Sequence, residues 1–238
     1  MAARRKPPVQ ETTRGDVLVR LLIAVLLVAV AAYIGYRLYR RSRWKTLAPL
    51  LPARFNFGKR RDTFRRALDL LEARGGRFIL ETGVAREGLA KSKSDGASTI
   101  VFAAWAQQHH ARVVSVDIDP ASISAAQAAV AQLGLGEFVE FVTSDSVAYL
   151  AQCDRAVDLL YLDSFDYDRN DPAVQQASQA HHLAEFKAIE ARLHANSIVL
   201  IDDCRIRGGG KGKLVIAYML ERGWRVELSR YQMLLVRD

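Results

Sequence analysis

The segment VVSVDIDP, residues 113–120, carries the signals that decide the fold of this chain. Three valines within four residues form a short apolar run of the kind that a buried β-strand needs. The run ends at Asp117, after which Asp119 and Pro120 supply a helix N-cap and a proline suited to the first helical position. The segment therefore predicts a buried strand that leads directly into a helix.

The same alternation of strand and helix continues on both sides of this segment. A helix is predicted to end at Gly75, and further apolar strands are predicted at residues 78–80, 139–142, 159–162 and 198–201. Further helices are predicted at about residues 97–109, 120–133, 146–153, 173–194 and 213–222. The last two strands, 225–228 and 232–236, are so close in sequence that only a hairpin can join them. We therefore predict an α/β protein with a doubly wound, mostly parallel, seven-stranded sheet that ends in an antiparallel hairpin.

The charge of the chain is unevenly distributed. The 238 residues carry a net charge of +8, but residues 1–66 hold 16 of the 34 Lys and Arg side chains and only 3 of the 26 Asp and Glu side chains. The predicted α/β part is therefore net acidic. A domain that binds nucleic acid is expected to carry a positive field on its own surface, so we expect no nucleic-acid partner.

The basic N-terminal part surrounds a long apolar run. Between Val17 and Tyr36 the only charged residue is Arg20, close to one end. About 20 apolar residues are enough for a helix to span a bilayer. A buried core helix and a cleaved signal peptide are the alternatives, but dense arginines on both sides disfavour both of them. We predict one transmembrane helix at about 17–36 within an N-terminal anchor, residues 1–44.

The remaining organisation follows from this anchor. Residues 45–62 contain the cluster Lys59-Arg60-Arg61 and are interpreted as a basic juxtamembrane linker that lies on anionic headgroups, ahead of a domain at 63–238. The denser arginine cluster after the helix favours a single-pass protein whose C-terminal domain is in the cytoplasm. Two cysteines are too few for a disulfide scaffold, which agrees with a reducing compartment.

Polar and acidic residues follow the predicted strands at the points where they end. In a doubly wound sheet, ligands bind beyond the carboxyl ends of the strands. The residues there are Glu81-Thr82-Gly83, Asp117, Asp145-Ser146, Asp163 and Asp202-Asp203. A single aspartate after a strand is often only a helix cap, but their convergence favours a binding site. Asp117 lies at the end of a predicted strand, a position from which an acidic side chain can accept hydrogen bonds from ribose hydroxyls.

Five motifs in this order resemble the class I S-adenosylmethionine-dependent methyltransferases. They are ILETG (79–83), VVSVDIDP (113–120), TSDS (143–146), LLYLD (159–163) and IVLIDD (198–203), and the resemblance covers about residues 75–238. It implies a Rossmann-like fold with S-adenosylmethionine as cofactor. It further implies that Glu81 and Gly83 lie near the methionine part, Asp117 near the ribose, and Asp145 and Ser146 near the adenine. Thr82 and Ser98 are also expected to bind the cofactor.

The last two motifs are most similar to the metal-dependent small-molecule O-methyltransferases, in the catechol O-methyltransferase and cephalosporin-hydroxylase-like branches. This resemblance implies that Asp163, Asp202 and Asp203 bind Mg²⁺ or another divalent cation, with Asp163 as a candidate catalytic residue. In the alternative interpretation, Asp202 is a cap and Asp203 is solvated. The catechol branch has a lysine shortly after the aspartate of strand four, whereas DSFDYD (163–168) has none, so the general base stays unassigned.

Two further groups of residues are open to interpretation. The loop GGGKGK, residues 208–213, lacks the spacing of a phosphate loop and is interpreted as an active-site loop whose Lys211 meets an anionic substrate. His181, His182 and Glu185 are spaced so that their side chains can meet on a predicted helix. They are interpreted either as packing residues or as contacts to a substrate or metal.

Three classes of function are compatible with the sequence. The first is a membrane-anchored methyltransferase that acts on a hydroxyl of a small-molecule acceptor. The others are an NAD-dependent oxidoreductase, for which the dinucleotide fingerprint is missing, and a non-catalytic membrane-tethered binding module. The oligomeric state is left open.

Overall fold

The computed structural model describes residues 14–42 and 44–237, and the chain divides into two compact units, Met1–Trp44 and Lys45–Asp238. In the first unit, α1 spans Arg14–Ser42. Its segment Gly15–Tyr39 is long and apolar enough to cross a membrane, as judged by length and composition, and its apolar side chains are exposed. An N-terminal apolar helix is thus present where it was expected. The basic residues at 4–6 and Arg43 lie outside the described residues.

The described part of the second unit forms a seven-stranded sheet. The strands are β1 (Phe78–Thr82), β2 (Arg112–Asp117), β3 (Val139–Thr143), β4 (Val157–Leu162), β5 (Leu193–Ile201), β6 (Trp224–Ser229) and β7 (Met233–Arg237). Their order in the sheet is β3-β2-β1-β4-β5-β7-β6. The first five strands pair in parallel, whereas β7 is antiparallel to both β5 and β6. This confirms the predicted Rossmann-like sheet and its C-terminal hairpin.

Six helices of the second unit connect these strands or pack on them. They are α2 (Arg61–Ala73), α3 (Ser98–His109), α4 (Pro120–Ala131), α5 (Ser146–Gln152), α6 (Pro172–Ile189) and α7 (Lys213–Leu220). The Asp119 side chain accepts hydrogen bonds from the amides of Ala121 and Ser122, so it caps α4 as its sequence predicts.

The predicted end of α6 is wrong. The sequence predicts a helix that continues to about His194, but α6 ends at Ile189 and β5 already begins at Leu193. The early strand is held by Ser197, whose hydroxyl donates to the Val157 carbonyl and accepts from the His194 amide. The bond to Val157 joins β5 to β4 at the point where the register between the two strands shifts. The local sequence pattern does not reveal this shift.

Side chains on both faces of the sheet form the hydrophobic core. The parallel strands β1 and β4 are almost completely buried, which explains their continuous apolar runs. On one face, Phe102 lies edge-on between Phe64 and Tyr161, with ring centroids 5.8 and 5.3 Å away. The ring of Tyr161 therefore lies in the core, and its hydroxyl reaches the carboxyl end of the sheet.

The segment that was expected to be a linker packs within the second unit. Leu47, Leu51 and Phe57 are buried in the same cluster as Phe64, and the Phe57 amide donates to the Lys45 carbonyl over 2.8 Å. This packing fixes the chain that leads into α2 and delivers Arg60 to the carboxyl ends of β4 and β5. Contact of this segment with anionic lipid stays a prediction.

Candidate active site

A cavity of about 370 Å³ lies at the carboxyl edge of the sheet, where the strand order reverses between β1 and β4. The loops that leave β1 and β4 diverge at this point, and the crevice between them is the place where ligands bind in sheets of this type. Its walls include Asp117 at the end of β2 and Arg60 from the segment before α2. The loops after β1, β4 and β5 contribute Gly83, Asp163 and Asp203.

The loop after β1 passes directly over the end of β4. Gly83 has a φ of +79°, and a Cβ atom at this position would lie 2.6 Å from the Asp163 carbonyl oxygen. Only glycine allows this close crossing. The preceding Thr82 is buried in β1 and does not line the cavity. It therefore belongs to the core beneath the loop and not to the cavity wall.

Glu81 provides a fully buried carboxylate beneath this loop. The Ser115 hydroxyl donates to its Oε2 over 2.6 Å, and the hydroxyls of Ser98 and Thr99 also interact with the carboxylate, although no described residue makes a well-aligned hydrogen bond to Oε1. Burial raises the pKa of Glu81 to about 7. Ser98, at the start of α3, lines the adjoining part of the cavity. Glu81 itself does not line the cavity, so its charge can act on a ligand there only through the loop that covers it.

Asp117 presents a half-buried carboxylate at the end of β2. Its Oδ2 accepts from the Val84 amide over 3.1 Å and its Oδ1 from the Asp119 amide over 2.9 Å, so the carboxylate is fixed in orientation. The next side chain, Ile118, is 70% exposed and also lines the cavity. An oriented acceptor beside an exposed apolar side chain can bind a diol together with a flat ring.

Asp145 and Ser146 lie at the N-terminus of α5 and do not line the cavity. Asp145 caps the helix through the Ala148 amide, over 2.8 Å. The Ser146 hydroxyl shares a hydrogen bond of 3.0 Å with Nε2 of His181. The structure thus brings Gly83, Ser98 and Asp117 together, while the two residues expected near the adenine are engaged within their own helix and with α6.

The aspartates after β4 and β5 form one charged cluster with Arg60 and Lys211. The fully buried Asp202 accepts hydrogen bonds from Nε of Arg60 (2.7 Å) and from the Tyr161 hydroxyl (3.0 Å). Asp163 accepts from Nζ of Lys211 over 2.5 Å. Asp203 lies 3.6 Å from the Arg60 guanidinium and 3.8 Å from the Lys211 ammonium. Burial opposes the ionisation of Asp202, but the charges of Arg60 and Lys211 hold its pKa below the ordinary value.

This cluster does not fit the expected divalent metal. No group of three His, Cys, Asp or Glu within residues 14–42 and 44–237 is arranged to hold a metal ion. Asp163 is instead paired with Lys211, Asp202 with Arg60, and Asp203 lies close to both cations. The donor oxygens that a metal would need are therefore already engaged with cationic side chains of the chain itself.

Arg60 and Tyr231 line the cavity although the sequence reasoning did not single them out. The Arg60 guanidinium lies 4.8 Å from the centre of the Tyr231 ring. The basic cluster at 59–61 was visible in the sequence, but nothing in it distinguishes a buried arginine from its exposed neighbours. Tyr231 lies in the hairpin turn, where an exposed aromatic residue would be equally compatible with the sequence.

The histidines of α6 do not line the cavity. His182 is fully buried, and burial lowers its pKa to about 4. Glu185 is also fully buried; it accepts a hydrogen bond from the Ser164 hydroxyl over 2.7 Å and lies 3.6 Å from His181. Ser164 lines the cavity, so this group supports the loop after β4 from behind.

Comparison with known proteins agrees with this geometry. Residues 94–204 match the family model described as a methyltransferase domain, and no curated protein matches the chain. The fold is similar to an SAH-bound methyltransferase from Podospora anserina, with a TM-score of 0.54 and 14% identity over 99% of this chain and 100% of that chain. It is also similar to an O-methyltransferase from Bacillus cereus in complex with SAH, with a TM-score of 0.51 and 16% identity over 90% and 88% of the two chains. A methyltransferase from Geobacter sulfurreducens gives a TM-score of 0.51 and 19% identity over 74% and 77%.

These similarities confirm the resemblance to the class I S-adenosylmethionine-dependent methyltransferases. The solved structures establish the fold, and the family model identifies the methyltransferase domain within it. The expectation of a methyltransferase is thereby confirmed.

Proposed function

We propose that this chain is a membrane-anchored O-methyltransferase that moves a methyl group from S-adenosylmethionine to a hydroxyl of a small molecule. The observation that carries the proposal is the crevice at the switch point between β1 and β4, with an oriented acceptor, Asp117, on one wall. The donor groups of the cofactor match this wall. Asp117 suits the ribose hydroxyls, and Ile118 suits the face of the adenine. Glu81 does not line the cavity, but its buried carboxylate lies behind the loop at Gly83 and would attract the ammonium of the methionine part from there.

The residues of the site bind and orient the two reactants. Asp117 and the loop at Gly83 would hold S-adenosylmethionine, which would supply an electrophilic methyl group to the acceptor oxygen and leave as S-adenosylhomocysteine. Since no residue is assigned as the base, the hydroxyl proton would pass to solvent. Catalysis of this step depends mainly on the alignment of the reactants and on the exclusion of water. Gly83 lets the loop after β1 approach the end of β4 closely, and Asp163 lies on the β4 side of that contact and lines the cavity.

Metal assistance, which the resemblance implied, is not carried into this proposal. Asp163, Asp202 and Asp203 are engaged by Lys211 and Arg60, so no step is assigned to a divalent cation. Asp163 stays the candidate catalytic residue, since it lines the same cavity as Asp117.

Replacing Asp117 with alanine is expected to weaken the binding of S-adenosylmethionine about ten- to hundredfold. The variant loses charge-assisted hydrogen bonds to the ribose, which are together worth about 1.5–3 kcal/mol. Calorimetric titration of the full-length chain in detergent measures the affinity directly. Asp154→Ala is a matched control because Asp154 is exposed and precedes β4, at the opposite edge of the sheet.

Unchanged affinity in a folded Asp117→Ala variant would contradict the cofactor assignment. NAD serves as the second titrant, and we expect it not to bind. A screen of hydroxyl acceptors with a labelled methyl group then separates an enzyme from a binding module. Cofactor binding without transfer to any acceptor would favour the module.

We expect α1 to hold the protein in a membrane as an integral, single-pass anchor, with residues 45–238 in the cytoplasm. Its exposed apolar side chains from Val17 to Tyr39 cannot be stably hydrated, so insertion is hydrophobic and does not depend on salt. High salt and carbonate should therefore both leave the protein in the membrane fraction. Protease added to sealed vesicles with the cytosolic face outward should degrade the C-terminal unit. Extraction by salt alone would refute the anchor, and protection from the protease would refute the orientation.

A further inference from the structure

We propose that the ammonium group of Lys211 holds the position between Asp163 and Asp203 that a divalent cation would otherwise fill. The acceptor end of the site would then work with a cation that is built into the chain. The inference rests on the proposed methyl transfer for its functional meaning, but the cation position itself can be tested without turnover.

The surroundings of the Lys211 ammonium are those of a hard cation. Its Nζ lies 2.5 Å from Oδ1 of Asp163, 3.2 Å from the Asp163 carbonyl oxygen and 3.8 Å from Oδ2 of Asp203. The lysine side chain is 3% exposed, so these oxygens rather than water surround it. Carboxylate and carbonyl oxygens from neighbouring strand ends are the ligands that Mg²⁺ and Mn²⁺ prefer. Here the same set of oxygens surrounds a lysine.

The negative charges of the three aspartates are also balanced by positive charge, as they are in a metal site. Three carboxylates at adjoining strand ends repel one another unless positive charge lies among them. Lys211 supplies one charge at Asp163, and Arg60 supplies a second at Asp202 and Asp203. Together these two side chains provide the double positive charge that one divalent ion would bring.

The glycine-rich loop is shaped to deliver Lys211 to this position. Gly208, Gly209 and Gly210 all have positive φ angles, of +86°, +95° and +66°. A Cβ atom at Gly210 would overlap the carbonyl oxygen of Asp203, so a larger residue would push the loop away from β5. The Lys211 amide donates to that same carbonyl over 3.2 Å. The loop therefore turns its lysine inward, onto the carboxylates, which explains a glycine-rich sequence that is not a phosphate loop.

Removal of the ammonium is expected to create a divalent-cation site. The test uses the full-length chain in detergent with Mn²⁺ as the probe, followed by the loss of the free Mn²⁺ signal in electron paramagnetic resonance and by the Tm. We expect Lys211→Ala to bind Mn²⁺ at least about tenfold more tightly than the wild type and to gain Tm when Mn²⁺ is added. The control Lys213→Ala removes an exposed lysine at the start of α7, two residues after Lys211, and should behave as the wild type does. The double variant Lys211→Ala/Asp163→Asn should lose the gained site.

Each outcome either supports or overturns the proposal. If Lys211→Ala folds only when Mn²⁺ is present, the metal has replaced the missing ammonium and the proposal stands. A variant that folds without binding Mn²⁺, or that stays unfolded with it, overturns the proposal. Equal Mn²⁺ affinity in the wild type and the variant, or retention of Mn²⁺ by the double variant, overturns it as well. Calorimetry with S-adenosylmethionine on the wild type is run separately; failure to bind would refute the proposed function without affecting the Mn²⁺ result.

Discussion

Replacing Arg60 with methionine is expected to lower the free energy of unfolding by about 3–5 kcal/mol. Arg60 is almost fully buried and donates to Asp202, which is fully buried, over 2.7 Å. The substitution leaves the Asp202 carboxylate in the interior without its main cation, and burial of an unpaired charge is strongly unfavourable. Denaturant unfolding at neutral pH, monitored by circular dichroism, measures the loss.

The matched control is Arg66→Met, which removes an arginine that pairs with Glu227 from an exposed position on α2. A surface pair of this kind contributes at most about 1 kcal/mol. The double variant Arg60→Met/Asp202→Asn should regain most of the lost stability, since it no longer buries a charge. A loss below about 1 kcal/mol in Arg60→Met would show that Asp202 does not depend on Arg60.

The sequence predicts the sheet well because its signals are local. Every predicted strand is present, and Asp119 caps α4 as expected, since an N-cap followed by proline is decided by neighbouring residues. The positions of Gly83 and Asp117 in the cavity follow from the same logic, since the topology of a doubly wound sheet brings the ends of its strands together. The predicted end of α6 was wrong because Ser197 stabilises the start of β5 through a hydrogen bond to Val157 on β4 and one from the His194 amide within β5.

The charged half of the site could not be predicted in this way. Arg60 reaches Asp202 across 142 positions of sequence, and Lys211 reaches Asp163 across 48. Local patterns identify the aspartates but not the cations that neutralise them, because side-chain pairing at such separations is decided by tertiary packing. Three aspartates at strand ends therefore suggested a metal, whereas the folded chain supplies its own positive charges.

Substitution of Glu81 is the second change with a large expected effect on stability. It is expected to stabilise the fold, whereas substitution of Arg60 is expected to destabilise it. Replacing Glu81 with glutamine is expected to raise the free energy of unfolding by about 3 kcal/mol at about pH 8 and to change it little at about pH 5. Burial raises the pKa of Glu81 from 4.5 to about 7, so between these values the folded state holds a proton that the unfolded state has lost. The stability of the wild type therefore falls as the pH rises through this window, whereas glutamine has no proton to lose.

The same substitution should weaken the binding of S-adenosylmethionine at about pH 8 by about tenfold, since a neutral amide does not attract the ammonium of the methionine part through the covering loop. Unfolding curves at both pH values and calorimetry at the higher one measure the two effects. Glu140→Gln, at an exposed position of β3, is the control and should change stability by less than about 0.5 kcal/mol. If Glu81→Gln is neutral or destabilising at both pH values, the buried carboxylate is satisfied within the fold and has no need of a ligand. A gain in stability together with a loss of affinity would mean that Glu81 is retained for the cofactor at a cost to the fold.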